Sequence, residues 1–269
     1  FEGIQDLKEK RIRCVGNALE RFTEDALRIL RAIRFSAQLG FSIEESTWEA
    51  IKVIAPNLIH VSKERIQVEL TKLLLSNHPD EIRKVFDREL DTRICADFPK
   101  INPAQIAIDP GLPKEKHMRW AALLRYQTPE EAVVILRQLK LDNDTINRVK
   151  TLVQWWKRPI GADQTQIRKT MSQMAPELYD DLLVLKASVG EMELQAEGCV
   201  EDLDWVKVQS GEIRQRGDCV SLKELAVTGA DLIQAGMKPG KELGETLKRL
   251  LELVLEHPEW NTKEILKKV

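Results

Sequence analysis

Apolar residues recur along most of this chain at three- and four-residue intervals, the period of helices with one face on a core. The pattern is densest from Arg21 to Phe41, which reads RFTEDALRILRAIRFSAQLGF. Ala26, Leu27, Leu30, Ile33 and Ala37 fall on one face, Thr23 offers an N-cap oxygen, and Glu24 and Asp25 put negative charge at the positive end of the helix dipole. Gly40 can close the far end, so the pattern predicts one helix over the whole stretch. Ser42 and Glu45 have capping-box spacing and start a helix through Trp48 and Ile51 that ends near Pro56. Ser62 caps the next, with Glu64 in its first turn, Val61 and Ile66 as a hydrophobic staple, and Ile66, Leu70, Leu73 and Leu74 at helical spacing. Arg65 and Glu69 stand four apart on it and read as an ion pair.

Pro99, Pro103, Pro110, Gly111 and Pro113 break the pattern between Asp91 and Pro113, a natural domain boundary. Helices resume from Lys114 to Tyr126, and again at Thr128, where Thr-Pro-Glu-Glu supplies an N-cap, a first-turn proline and a boxed glutamate. A further helix carries Arg148, Lys150 and Trp155, and beyond it Pro159-Ile160-Gly161 and Ala175-Pro176 interrupt the helical period. A long helical segment near Met192 to Arg216 and another from Leu247 to Leu255 complete the pattern, with Gly229, Gly236, Pro239, Gly240 and Gly244 between them. Those glycines suit either a phosphate at a helix start or tight packing of two helices. Only Ile12 to Val15 reads as a strand, and without neighbours it would expose an unpaired edge. The predicted fold class is therefore all-α, a multi-domain helical array with a short strand remnant at the N-terminus and no repeat of fixed period.

Composition narrows this picture little: among 269 residues, 41 basic side chains nearly balance 43 acidic ones, so overall charge points to no partner. Local charge is more informative. From Arg137 to Lys169 basic residues outnumber Asp142, Asp144 and Asp163 and enclose Trp155-Trp156, a composition suited to nucleic acid, with Lys150, Lys157, Arg158, Arg168 and Lys169 as candidate RNA contacts. Adjacent tryptophans cannot share a helix face, so one of them belongs in the core. Cys14, Cys95, Cys199 and Cys219 show no C-x-x-C spacing and the histidines stand alone, which suggests neither a zinc site nor a disulfide framework. No apolar run approaches the roughly 20 residues of a membrane span, and no signal segment heads the chain. A reduced cytoplasm is the simplest home.

The candidate chemistry lies in Asp25, Arg28, Arg31 and Arg34, spaced by three. At about 100° per residue this run drifts roughly 60° per step and lines a groove rather than a flat face. A carboxylate only accepts hydrogen bonds and a guanidinium only donates them, so together they match an exocyclic amine beside an acceptor ring nitrogen, the edge of adenine and cytosine. The alternative is a solvated helix with ion pairs worth about 0.2–0.5 kcal/mol each.

Flanking residues favour the first reading. FEGIQDLKEKRIRCVG, the stretch through Arg21 to Ile51, and VSKERIQVELTKLL resemble, in that order, the class II tRNA nucleotidyltransferases, the CCA-adding enzymes and their poly(A) polymerase relatives. Gly3, Asp6, Leu7 and Arg13 match the motif ending that family's catalytic head, Glu24 to Arg31 its EDxxR nucleotide-selecting motif, and Ser62 to Leu70 its helix-stabilising motif. VTGADLIQAGMKPGKELGETLKRLL looks like the family's tail.

The resemblance implies the end of a catalytic head at 1–19, a nucleotide-selecting neck at 20–90, a body at 91–175 and a tRNA-binding tail at 176–269. It implies template-independent addition of CMP and AMP to the 3′ end of tRNA from CTP and ATP. Asp25 would accept from the base amine, Arg28 would donate to the ring nitrogen, Glu24 would orient Arg28, and Arg31 and Arg34 would shape the groove or meet phosphate. In the family Mg²⁺ is held by paired aspartates on a strand after a Gly-Ser loop, and that head is expected before Phe1. Asp142-Asn143-Asp144 and Asp202-Leu203-Asp204 follow no such turn and read as a helix start and a helix surface, so no catalytic or metal residue is assigned here. A chain opening on Phe1 reads as the C-terminal part of a longer protein, able to fold alone but inactive alone. Two other readings stay open: a non-catalytic helical RNA-binding module, and a helical interaction scaffold.

Overall fold

Helices dominate the protein, as the apolar period predicts, in a computed structural model that describes residues 3–199 and 201–268. The first departure falls in the densest stretch. After α1 (Gly3–Lys8) and β1 (Arg11–Ile12), the expected single helix is two, α2 (Ala18–Glu24) and α3 (Leu27–Leu39), parted at Asp25, whose backbone is extended at φ −153°, ψ 102°. Asn17 rather than Thr23 caps α2, its side chain accepting from the Leu19 and Glu20 amides. Thr23 lies inside α2, and its hydroxyl donates to the Leu19 carbonyl. Apolar spacing did not reveal the break because the break costs no core contact: Ala26, Leu27, Leu30, Ile33 and Ala37 are all buried. Gly40 ends α3 in the left-handed region at φ 67°, where an added Cβ would stand 2.7 Å from Nε2 of His78. The left-handed backbone therefore favours glycine there, and any side chain would also have to displace the His78 ring.

The N-terminal strand is shorter than expected and is not left as an open edge. Arg11 and Ile12 pair in parallel with Ser42 and Ile43 of β2 (Ser42–Ile43). Ser42 is thus spent in a strand and forms no capping box; Glu44 takes the N-cap of α4 (Glu45–Ile54) without a side-chain bond to the backbone. Instead its carboxylate accepts from the hydroxyls of Ser46 and Thr47 and pairs with Arg13, which also reaches Asp6. Pro56 follows in a 3-10 turn, Ala55–His60, and α5 (Lys63–Leu74) starts after Ser62 as predicted, though the serine hydroxyl makes no cap bond. Helix α3 packs on α5 and α2 packs on α4.

The proline-rich stretch is irregular, as its sequence requires: α6 (Arg83–Asp87) and α7 (Asp91–Ile94) give way to 3-10 turns at Phe98–Lys100 and Pro103–Gln105. Two buried arginines organise it. Arg119, on α8 (Lys116–Leu124), donates to the carbonyls of Asp109, Pro110, Leu112 and Pro113, and Arg125 to those of Gln105, Ala107 and Ala122. Next, α9 (Pro129–Gln138) opens on the predicted Thr128–Glu131 capping box, and Asp142 caps α10 (Asn143–Trp155). Trp156 is the core member of the tryptophan pair, fully buried, with its indole N–H on the Arg125 carbonyl and Tyr126 edge-on at 5.2 Å.

The chain divides into two compact units, one running to Trp156 and including Val184–Val189, the other comprising Lys157–Leu183 and the residues from Gly190 onward. The remaining helices are α11 (Gln164–Met171), α12 (Pro176–Val189), α13 (Glu191–Ala196), α14 (Leu203–Arg216), α15 (Gly229–Gln234), α16 (Lys241–Glu256) and α17 (Lys263–Leu266). The long segment expected near Met192 to Arg216 is therefore two helices. Gly198 turns at φ 80°, and Asp202 restarts the helix by accepting from the Trp205 amide, so it is a helix start and not a helix surface. Cys219, Leu225, Val227, Leu232, Leu250, Val254 and Leu266 form a core in the second unit. A Cβ on Gly229 would make an ordinary contact with Leu243 at 3.5 Å.

Candidate functional site

The break at Asp25 sets the site. Leaving the helical path lets its carboxylate turn back: one oxygen accepts from the Leu27 amide at 3.1 Å and starts α3, and the other accepts from Arg65 Nη2 of α5 at 2.7 Å. Burial pushes the Asp25 carboxyl up, but the Arg65 guanidinium, the Leu27 amide and the charge of Arg31 together outweigh it and hold it below the ordinary aspartate value. The predicted ion pair within α5, Arg65 with Glu69, does not form, because Arg65 turns to Asp25 and Glu69 turns to Arg31 and Arg34 of α3.

Glu69 is the second tie. It is buried, with Nε of Arg31 at 3.3 Å from one carboxylate oxygen and Nε of Arg34 at 2.7 Å from the other. The Arg34 contact is a charge contact whose angle misses a hydrogen bond. Arg34 also lies 4.0 Å over the Phe35 ring and donates to Gln38. Along α5, a cation at 65 and an anion at 69 thus mirror the anion at 25 and cations at 31 and 34 on α3.

Arg28 does not touch Asp25. Its Nη1 donates to Glu24 at 2.5 Å and to the Arg21 carbonyl at 2.7 Å, and Arg21 itself holds Glu24 at 3.0 Å. The Arg28 hydrogen bond is the main reason the exposed Glu24 carboxyl lies below the usual glutamate range. Glu24 and Arg28 are therefore paired across one turn, the pairing the family resemblance implied. Arg28 and Arg31 line a cavity of about 240 Å³ with Arg13, Arg21, Phe22 and the half-exposed Phe35. The Cys14 thiol on its wall is pushed up by burial, against the pull of Arg21 and Arg28.

The structure thus brings Glu24 to Arg28, Asp25 to Arg65, and Arg31 to Arg34 through Glu69. Sequence reasoning missed Arg65, Glu69, Arg13, Arg21 and Phe35. Charge complementarity between 65/69 and 25/31/34 was the available signal, but periodicity within one helix cannot say which helix answers it.

The candidate RNA contacts fare differently. Lys150 is exposed on α10; Lys157 is exposed and 3.7 Å from Glu197; Arg158 is exposed. Lys169 is half-exposed and paired with Glu256 at 2.7 Å. Arg168 is a correction: it is buried, donating to the Leu255 carbonyl at 2.8 Å, to Thr165 and to Asp218, and so braces the second unit from inside. Its inward direction follows from lying three residues before the buried Met171.

Among the described residues, no three of His, Cys, Asp and Glu converge so as to hold a metal ion. Asp142 caps α10 and pairs with Lys116, and Asp202 caps α14. The residues present therefore do not fit the Mg²⁺ that the resemblance implies. Among the described residues no helix is long and apolar enough to cross a membrane.

A cleft lined by guanidiniums, aromatic on one wall and set between helices, suits a ligand that is phosphorylated and carries a base. A profile described as "tRNA nucleotidyltransferase domain 2 putative" matches residues 113–269, and one described as "Probable RNA and SrmB- binding site of polymerase A" matches residues 40–89. The chain belongs to the tRNA nucleotidyltransferase family. It is 34% identical over 264 residues to the CCA-adding enzyme of Lacticaseibacillus paracasei, covering 95% of this chain and 61% of that one. Over 95 residues it is 55% identical to the CCA-adding enzyme of Oceanobacillus iheyensis, covering 35% of this chain and 24% of that one. The Bacillus stearothermophilus CCA-adding enzyme in complex with CTP superposes with a TM-score of 0.80 at 25% identity, covering 100% of this chain and 66% of that one. The Thermotoga maritima enzyme complexed with tRNA_CCA shares the fold, with a TM-score of 0.59 at 21% identity, covering 100% and 65%. The chain spans 61% of the length of its Lacticaseibacillus relative.

Proposed function

We propose that this chain is the base-selecting and tRNA-binding part of a cytoplasmic enzyme that adds CMP and AMP to the 3′ end of tRNA. The observation that carries the proposal is that a carboxylate fixed at Asp25, at the start of α3, stands three residues before Arg28, which Glu24 holds at the wall of the arginine-lined cavity. Its family membership and its similarity to CCA-adding enzymes, one of them solved with CTP, support the same reading. Asp25 accepts from the exocyclic amine of cytosine or adenine and Arg28 donates to the neighbouring ring nitrogen. Guanine and uracil present the reverse edge, which leaves two acceptors and two donors facing each other. Arg31, on the cavity wall and tied to Glu69 beside Arg34, keeps the cavity positive for phosphate.

On this reading residues 20–90 are a neck, 91–175 a body and 176–269 a tail, with 1–19 the end of a catalytic head. Lys150, Lys157, Arg158 and Lys169 meet tRNA phosphates. Phosphoryl transfer depends on metal ions, and no metal-holding group is found among the described residues, so no step of the transfer is assigned to this chain.

The test joins this chain to the catalytic domain of a CCA-adding relative and compares the four nucleotides. CTP and ATP should be preferred at least about tenfold, since a good bidentate pair discriminates by about 1–3 kcal/mol. Equal use of all four nucleotides would remove the base-reading role. The 269-residue chain alone should incorporate no labelled CMP into tRNA lacking its CCA end, yet should bind that tRNA with affinity falling as salt rises.

A further inference from the structure

Asp25 is held from two sides that have nothing to do with each other in sequence. The Leu27 amide is local and caps α3, whereas the Arg65 guanidinium comes from α5, 40 residues away. Arg28 is much nearer along the chain but is committed to Glu24 and the Arg21 carbonyl. Among the described residues the guanidinium hydrogen-bonded to Asp25 is therefore that of Arg65.

An ionised carboxylate has about four lone-pair positions, and Asp25 uses two of them on these partners, one on each oxygen. One position on each oxygen is left for a ligand. Arg65 can thus keep its grip while a base is read, and it is not a plug that must be displaced. What it sets is where Asp25 points its lone pairs. A carboxylate left to swivel stays acceptor-only but no longer holds an oxygen opposite the base edge, so the amine of cytosine or adenine loses its partner and O6 of guanine or O4 of uracil loses the repulsion that refuses it.

We propose that Arg65 is a specificity-determining positioning residue: its grip fixes the direction in which Asp25 presents its acceptor oxygens, so that an amine edge is taken and a carbonyl edge refused. This rests on the base-reading role of Asp25 proposed above. The geometry separates this role from simple bracing. Arg65 is exposed, whereas α5 is anchored in the core by Ile66, Leu70, Leu73 and Leu74 and tied to α3 independently by Glu69. Losing Arg65 should therefore free the carboxylate without loosening the helix that carries it.

The experiment uses this chain joined to a relative's catalytic domain, and measures kcat and KM for CTP, ATP, UTP and GTP in the parent, R65A, R65Q, R65K and D25A proteins. In R65A and R65Q, the ratio of kcat/KM for CTP to that for UTP should fall about tenfold, the size of a lost specific contact. UTP turnover should rise in absolute terms, the lysine variant should recover most of the ratio, and D25A added to R65A should cost no further selectivity. R65Q stands in should the alanine variant fail to fold. A selectivity that D25A relaxes but R65A and R65Q leave intact overturns the proposal. So does a loss of turnover shared in proportion by all four nucleotides, which is what bracing alone would give. If D25A itself leaves selectivity unchanged, the base-reading role falls, and this inference falls with it.

Discussion

Two groups of arginines in the first unit are held in opposite ways. Arg119 and Arg125 are buried and face backbone carbonyls, so their donors are spent on neutral acceptors that cannot leave. Burial pushes the Arg119 guanidinium down from its usual range, with the Asp109 carboxylate opposing it. Arg28, Arg31 and Arg34 instead face the carboxylates of Glu24 and Glu69, with Arg28 and Arg31 on the wall of an open cavity. A carbonyl cradle fixes an irregular loop; a carboxylate pair fixes a direction while leaving N–H groups over for a ligand. Counting arginines does not separate the two kinds, but their acceptors do.

The largest effect that would sharpen this contrast is on stability. Arg119→Ala orphans several buried carbonyls at about 1–3 kcal/mol each, and even with partial hydration it should cost at least about 3 kcal/mol, read as a lower urea midpoint. Arg28→Ala, with its partner Glu24 exposed, should leave that midpoint nearly unchanged while abolishing base preference. If the two variants unfold alike, the division into structural and ligand-facing arginines is wrong.

A smaller effect comes from Glu69→Gln, which keeps an acceptor but removes the charge and so makes the ligand-facing arginines resemble Arg119. A hydrogen bond to a charged group contributes about 1.5–3 kcal/mol, so a loss near the lower end is expected, with a raised KM for nucleotides in the joined enzyme. An unchanged KM would show that the Glu69 tie does not reach the cavity.

The smallest test lies outside both groups, where neither kind of arginine matters. Lys140 follows α9 at φ 61°, a conformation that costs a non-glycine residue roughly 1 kcal/mol. Lys140→Gly should gain a few tenths of a kcal/mol at most, because glycine also loses more chain entropy on folding. Thermal unfolding would report it, and nucleotide selectivity should not move.

Where the fold was legible in the sequence, one helix or one cap carried the information. The Thr128–Glu131 box, the Asp142 cap, the glycine end of α3 and the buried face of Ala26, Leu27, Leu30, Ile33 and Ala37 all follow from spacing alone. What was not legible required a second element. Ser42 looked like a cap because β1 could not be foreseen as its ladder partner, and Arg65 and Glu69 looked like partners because α3 was not yet beside them. Arg168 was placed with the phosphate-facing residues because the basic character of the run was weighed before the burial of its own turn. The EDxxR motif itself was readable, although the change of direction in its middle was not.

That change of direction means α2 and α3 are phased independently. Asn17 and the packing on α4 set the rotation of α2, whereas Gly40 and α5 set the rotation of α3. One residue added within α2 would rotate the part preceding it by about 100° and leave Arg31 and Arg34 where Glu69 of α5 holds them, while Arg28 would lose its hold on the Arg21 carbonyl. The same addition just after Leu27 would swing part of that row off Glu69. Residue 25 is thus a phase joint: length can drift on its N-terminal side without disturbing Arg31 and Arg34, while on its C-terminal side the chain is counted residue by residue.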